Sequence, residues 1–389
     1  MNRIFYVIVL CFFFSGCLAQ KEKDIVVGAE RSMLYLNLLG DKQIGLVVNN
    51  TSVVVDEHLV DYLLGKDVKV SKIFAPEHGF RGDVSAGGEV EDGLDKRTGL
   101  PVYSLYGKNK KPTAEHLNGL DVMVFDIQDV GCRFYTYIST LHYVIEACAE
   151  NNIPLIVFDR PNPNSDYIAG PIREAGFESF VGLDPIPIVH GCTVGELAKM
   201  INGEGWHKAS QKCDLTVIPV ENYDHSMSYP LPVKPSPNLP NDLSVRLYPS
   251  LCFFEATSVS VGRGTDFPFQ VLGGLQEELG SFEFTPRSIP GVSVNPLNKN
   301  KKCYGIDLRN IQVAPKFTLK YFLEFYEKFG NETDFLTRER WLNLLAGTDK
   351  LILQIRQGKT EEEIVESWQV ELEEYQLTRK KYLIYPDFE

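Results

Sequence analysis

Glu77, His78 and Arg81 stand between Pro76 and Gly82. They offer a carboxyl group that can give or take a proton, an imidazole that can orient it, and a guanidinium whose planar fork can hold an anion. Gly79 and Gly82 let the backbone turn sharply and come close to a ligand. A polar surface turn would use the same residues, so the stretch gains weight only from others like it. Asp126, Gln128 and Asp129 form a second cluster, and Arg133, Tyr135 and Tyr137 follow closely. Arg160 and Asn162 belong to a third, Asp159-Arg160-Pro161-Asn162-Pro163-Asn164. Asn238 lies in a proline-punctuated stretch, and Arg263 in Gly262-Arg263-Gly264-Thr265. Each has a plainer use. Acidic residues favour helix N-termini, arginines tie loops together, paired aromatics pack, and Asn beside Pro makes turns.

The elements that must position these residues read as alternating strands and helices. Apolar runs at residues 68–74, 121–127 and 154–158 lead into the first three clusters. Ile44-Gly45-Leu46-Val47-Val48 is a further buried strand. Helical spacing covers residues 29–39, 58–64, 113–120 and 139–151. The alternation predicts an α/β fold, a Rossmann-like parallel sheet with covering helices. The carboxyl ends of neighbouring parallel strands lie side by side, so clusters far apart in sequence would line one crevice. Residues 185–189, running into His190-Gly191-Cys192-Thr193, read as a fourth such junction. Thr193 and Glu196 make a capping box for a helix through Asn202, and residues 215–220 read as a last strand. Residues 84–98 read as a long loop. Frequent prolines over residues 229–249 predict an extended crossing into a second domain. That smaller α+β domain carries helices at 319–329, 335–345 and 360–381, the last capped by Thr360 with Glu363. The expected division is 1–19, 25–235 and 236–389.

The chain has 389 residues, 39 basic against 52 acidic, and so a net charge of −13. It has no basic block, and a phosphate backbone would repel it, so nucleic acid is not an expected partner. Arg3, the apolar run 4–14 and Ser15-Gly16-Cys17 have the form of an export signal, too short to span a bilayer. Small residues before Cys17 suggest a lipoprotein, held at a membrane surface by a lipidated Cys17; cleavage after Ala19 is the alternative. The expected location is the periplasm or outer surface. Cys132, Cys148, Cys192, Cys213, Cys252 and Cys303 include no C-x-x-C pair, so no zinc or redox motif is read. No metal is expected from Asp126 and Asp129 without a compact ligand set. No cofactor is expected either, since no G-x-G-x-x-G follows the first strand.

Six ordered stretches carry a resemblance: Pro76-Glu77-His78-Gly79-Phe80-Arg81-Gly82, Phe125-Asp126-Ile127-Gln128-Asp129-Val130-Gly131, Arg133-Phe134-Tyr135-Thr136-Tyr137, Asp159-Arg160-Pro161-Asn162-Pro163, Pro235-Ser236-Pro237-Asn238 and Gly262-Arg263-Gly264-Thr265. Together they resemble the NamZ (YbbC-like) family of exo-β-N-acetylmuramidases, from about residue 25 to the C-terminus. The resemblance implies a Rossmann-like catalytic domain, a smaller C-terminal domain completing a cleft, and release of N-acetylmuramic acid from the non-reducing end of peptidoglycan fragments. Muropeptides or their disaccharides are the implied partners.

Glycoside cleavage needs a proton donor at the leaving oxygen and a group that stabilises an oxocarbenium-like centre. Glu77 is the expected acid, with His78 orienting it and Asp126 as a second carboxylate. The lactyl carboxylate of muramic acid calls for a fixed cation, with Arg81, Arg133, Arg160 and Arg263 as candidates. Tyr135 and Tyr137 are placed to stack on sugar faces, and Gln128, Asp129, Asn162 and Asn238 to bond acetamido or hydroxyl groups. A non-catalytic muropeptide binder, or a lyase cutting the same bond, would use a similar set.

Overall fold

The computed structural model describes residues 24–81, 92–311 and 315–388. The export signal, Cys17, Gly82 and most of the expected loop at 84–98 lie outside them. In chain order the strands are β1 (Ile44–Val48), a short hairpin of β2 (Val53–Val54) and β3 (Glu57–His58), β4 (Val70–Ala75), β5 (Gly93–Leu94), β6 (Pro101–Ser104), β7 (Val122–Asp126), β8 (Leu155–Phe158) and β9 (Leu215–Ile218). The C-terminal half adds β10 (Val271–Gly274), β11 (Phe282–Phe284) and β12 (Cys303–Asp307). The helices of the first half are α1 (Ser32–Leu39), α2 (Leu59–Leu64), α3 (Ala114–Leu117), α4 (Tyr137–Asn151) and α5 (Val194–Glu204). The rest are α6 (Asp242–Leu251), α7 (Lys320–Phe329), α8 (Glu332–Phe335), α9 (Glu339–Ala346), α10 (Lys350–Arg356), α11 (Glu361–Glu366) and α12 (Gln369–Lys380).

The main sheet runs β5-β6-β4-β1-β7-β8-β9, and every pairing but β5–β6 is parallel. Its central strands are apolar on both sides because helices cover both faces. Leu46 and Val48 join one core with Tyr35 of α1 and Leu63 of α2, while Val47 joins the other with Leu141 of α4 and Leu197 of α5. Gly45 has to be glycine in this packing, since a Cβ there would meet Met123 Sδ at 2.4 Å. A three-stranded antiparallel sheet, β10-β12-β11, and helices α7 to α12 form the smaller C-terminal part. Among the described residues no helix is long and apolar enough to cross a membrane.

The strands ahead of the polar clusters, and the capping boxes of Thr193 with Glu196 and Thr360 with Glu363, are present. Three expectations need correction. Residues 185–189 are not a sheet strand; Val189 makes only isolated bridges, to Cys132 and Ala169. The helix expected over 360–381 is two, α11 and α12, divided near the buried Trp368. The prolines of 229–249 do not keep the chain extended to Pro249. Asn241 caps α6 in a capping box with Ser244, and Pro249 lies inside that helix. Proline has no N–H for the Val245 carbonyl one turn back. Asn164 Nδ2 donates to that oxygen instead, at 3.3 Å, which makes the proline tolerable.

The six described cysteines are buried and unpaired with one another as disulfides. Gly131, in the turn after β7, shows how tightly the strand ends pack. Its φ is +74°, and a Cβ would lie 2.0 Å from Asn162 Oδ1. Gly131→Ala is expected to cost about 2 kcal/mol or more, combining left-handed strain with a clash. Chemical unfolding checks this; an unchanged midpoint would mean that the turn relaxes freely.

Candidate active site

Glu77 lies just past β4, after Pro76. Pro76 ends the strand, Gly79 N–H closes a turn on the Pro76 carbonyl at 3.1 Å, and His78 sits in the left-handed region at φ +72°. That conformation is costly for a non-glycine residue and is characteristic of functional turns. It leaves Glu77 half-buried at the carboxyl edge of the sheet. Thr136, the N-cap of α4, donates from Oγ1 to Glu77 Oε2 at 2.8 Å. Tyr137 OH donates to the Glu77 carbonyl oxygen at 3.4 Å. Tyr106 faces the same carboxylate. Burial first, and then the charge of Glu77, push its phenol above the ordinary range.

Glu77 opens onto a cavity of about 810 Å³. The sheet side supplies Glu77, Tyr106, Phe134 and Thr136. The facing wall comes from Glu255, Arg263, residues 292–297, and Arg338 and Trp341 beside or on α9. Arg263 donates from Nε and Nη2 to Glu255 Oε1, at 2.9 and 2.5 Å, and lies over the Phe269 ring. Arg338 donates to the Glu255 carbonyl oxygen and lies over the Trp341 ring. Behind Glu77 a recess of about 60 Å³ is lined by His78, Tyr135, Tyr137, Ser236, Asn238 and several apolar side chains. Tyr135 OH donates to the Pro235 carbonyl at 2.8 Å. The two tyrosine rings meet edge to face at 4.8 Å and both are buried, so they pack against each other.

Of the residues expected at a site, Glu77 and Arg263 therefore line both spaces, and His78, Tyr135, Tyr137 and Asn238 line the recess. The others line neither. Asp126 is fully buried and takes Arg160 Nε on Oδ1 at 2.6 Å and Nη2 on Oδ2 at 2.9 Å. This forked pair closes the end of β7 and removes both residues from the cavity. Arg133 is 0% exposed and gives its guanidinium to four backbone carbonyls. Arg81 is forked onto Asp95, at 3.1 and 2.8 Å, and also meets Asp61. Gln128 Nε2 donates to the carbonyls of Asp129 and Pro161. Asn162 Nδ2 donates to the Cys192 carbonyl, and its Oδ1 accepts the Asn164 N–H. Asp129 caps the turn through Gly131 N–H at 2.7 Å and faces the buried His190. These corrections share one cause: strand ends packed this closely need their polar groups to satisfy each other.

Thr136, Tyr106, Glu255, Arg338 and Trp341 were missed. Thr136 had a signal, standing inside the Arg133–Tyr137 stretch and ahead of a helical run. Residues 292–297 and α9 had none; only tertiary packing brings them over the sheet edge.

Two consequences can be measured. Arg160→Met should cost about 3–5 kcal/mol, because it strands a buried carboxylate, and Arg160→Met with Asp126→Leu should recover much of it. If the double variant is no better than the single one in chemical unfolding, the pair is not the origin of the loss. Asp95 is held down to about 2, chiefly by its hydrogen bond to Arg81. A depressed carboxylate stabilises the fold above its ordinary range and loses that contribution as pH falls through about 2. Arg81→Ala should therefore move the acid-unfolding midpoint to higher pH, read by circular dichroism. An unmoved midpoint would count against the link.

Comparison with known proteins decides the lineage. The family model described as exo-β-N-acetylmuramidase NamZ, N-terminal, matches residues 44–243, and its C-terminal counterpart matches 246–385. The chain belongs to the NamZ family. The peptidoglycan β-N-acetylmuramidase NamZ of Bacillus subtilis (strain 168) is 41% identical over 375 residues, covering 90% of this chain and 89% of that protein. Two crystal structures of DUF1343 family proteins from Bacteroides fragilis NCTC 9343 superpose with TM-scores of 0.87 and 0.80. The first is 43% identical and covers 94% of this chain and all of that one; the second is 30% identical and covers 93% and 99%. The two NamZ models meet at residues 243–246, inside α6. The cavity thus draws Glu77, Tyr106 and Thr136 from the part matched by the N-terminal NamZ model, and Glu255, Arg263 and Trp341 from the other.

Proposed function

We propose that the chain is an exo-acting β-N-acetylmuramidase, a glycoside hydrolase that releases N-acetylmuramic acid from the non-reducing end of peptidoglycan fragments, with Glu77 as general acid. The observation that carries this reading is the placement of Glu77. Its carboxyl group reaches a cavity walled by both matched parts, with Thr136 fixing one oxygen. In the reaction the bond from the anomeric carbon to the leaving oxygen breaks, and Glu77 gives its proton to that oxygen. Water supplies hydroxide to the anomeric carbon, and its remaining proton returns Glu77 to the acid form, directly or by way of solvent, so the step balances. Arg263 and Arg338 are the arginines of the cavity wall, and they supply the cation for the lactyl carboxylate. His78, Tyr135, Tyr137 and Asn238 shape the inner end.

The protein acts outside the cytoplasm, anchored by a lipid on Cys17. Cys17→Ala should move it from the membrane fraction to the soluble fraction; unchanged fractionation would remove the anchor. The activity is tested with chromogenic β-N-acetylmuramide and β-N-acetylglucosaminide and the protein lacking residues 1–19. Release from the muramide alone is expected. Release from neither, with muropeptides still bound, would make the protein a binder.

A further inference from the structure

We propose that the recess behind Glu77 receives the 2-acetamido group of the sugar, with Asn238 Oδ1 accepting its N–H; this rests on the muramidase reading above. The recess shares Glu77, Thr136 and Arg263 with the main cavity, so a ring bound there can place a substituent in it. At about 60 Å³ it is too small for a sugar ring and has room for a few heavy atoms.

Among the buried side-chain polar atoms of its lining, Asn238 Oδ1 stands without a hydrogen-bond partner. The hydroxyls of Tyr135 and Tyr137 both reach the Pro235 carbonyl, at 2.8 and 3.3 Å. Asn238 is 1% exposed, and its Nδ2 donates to the Val292 carbonyl at 3.1 Å. That bond fixes which end of the amide is nitrogen. The other end, Oδ1, is buried with no hydrogen-bond partner. A buried acceptor without a donor is unfavourable, and a ligand N–H at that point relieves it. Phe134, Leu239 and Phe269 give the recess apolar walls. An unpaired buried acceptor beside these apolar side chains matches an N–H joined to a methyl-bearing carbonyl; a bare hydroxyl would leave the apolar side chains uncovered.

The test compares the nitrophenyl β-N-acetylmuramide with its 2-O-acetyl analogue, in which an ester oxygen replaces the N–H. The affinity of each free sugar is measured in parallel by calorimetry. The wild-type chain should prefer the amide by roughly 100-fold or more in kcat/KM, since a site built to bond an N–H rejects an analogue lacking it. Asn238→Ala should abolish that preference, and Asn238→Asp, which keeps an acceptor, should retain it. The proposal is overturned if Asn238→Ala keeps the full preference, or if both variants lose activity equally on the two substrates. If the wild type cleaves neither substrate yet binds the amide sugar preferentially, the hydrolase reading fails and the recess stands. Cleavage without preference overturns the recess alone.

Discussion

Replacing Glu77 by glutamine should lower kcat on a disaccharide substrate by roughly 1,000-fold, the scale of a lost general acid, with little change in KM. Glutamine has the same shape, and its carbonyl oxygen can still accept from Thr136 Oγ1, so the site should keep its geometry. What it lacks is a proton to give. The loss should therefore depend on the leaving group. A nitrophenolate departs with little help from an acid, whereas a sugar alkoxide needs full protonation. Glu77→Gln should suffer much less with the dinitrophenyl glycoside than with the natural bond. An equal loss on both would assign Glu77 to binding or folding. Thr136→Val should give a smaller version of the same pattern, because it removes the bond that fixes one carboxylate oxygen.

The alternation of apolar strands and amphipathic helices was legible because it follows from local periodicity. Capping boxes were legible because both partners lie within one turn. The convergence of polar clusters on one edge followed from the parallel sheet. Which arginine faces the cavity was not legible. Arg133, Arg160 and Arg263 each stand in a short dense motif, flanked by Cys132 and Phe134, by Asp159 and Pro161, and by Gly262 and Gly264. Arg133 is decided by carbonyls 38 to 213 positions away, and Arg160 by Asp126 across the sheet. Charge and spacing carry no record of those partners. The same holds for α9, whose register over the sheet edge depends on Gly347 passing close to Arg133.

Arg133→Met is expected to cost as much stability as Arg160→Met and to reach the cavity as well. The guanidinium donates to Pro171 and Ile186 at 2.7 Å each, and to Leu345 and Ala346 at 2.9 and 2.6 Å. Burial opposes its charge, and the four carbonyl dipoles offset that cost. Methionine would fill much of the volume but leave those carbonyls without donors. A loss of about 3–5 kcal/mol follows from the precedent of broken buried ionic networks. The loss should not be confined to stability. Leu345 and Ala346 end α9, and Leu345 and Trp341 line the cavity. With that helix end released, KM should rise while kcat changes little, since Glu77 and Thr136 belong to the other wall. Arg133→Lys keeps a charge but has no fork to reach four acceptors, so it should recover only part of the stability. Calorimetric unfolding together with steady-state kinetics reads both effects. An intact KM at temperatures where the variant is folded would separate Arg133 from the cavity.

The central claim is that both halves of the chain enclose the non-reducing terminal muramic acid, with Glu77 at its glycosidic bond. Mass spectrometry of the products from two disaccharides tests it most directly: one with N-acetylmuramic acid at the non-reducing end, the other with the sugars in reverse order. Free N-acetylmuramic acid from the first, nothing from the second, and release from the first slowed by roughly 1,000-fold with Glu77→Gln is the predicted result. Cleavage of the reversed disaccharide, or equal cleavage by Glu77→Gln, would contradict it.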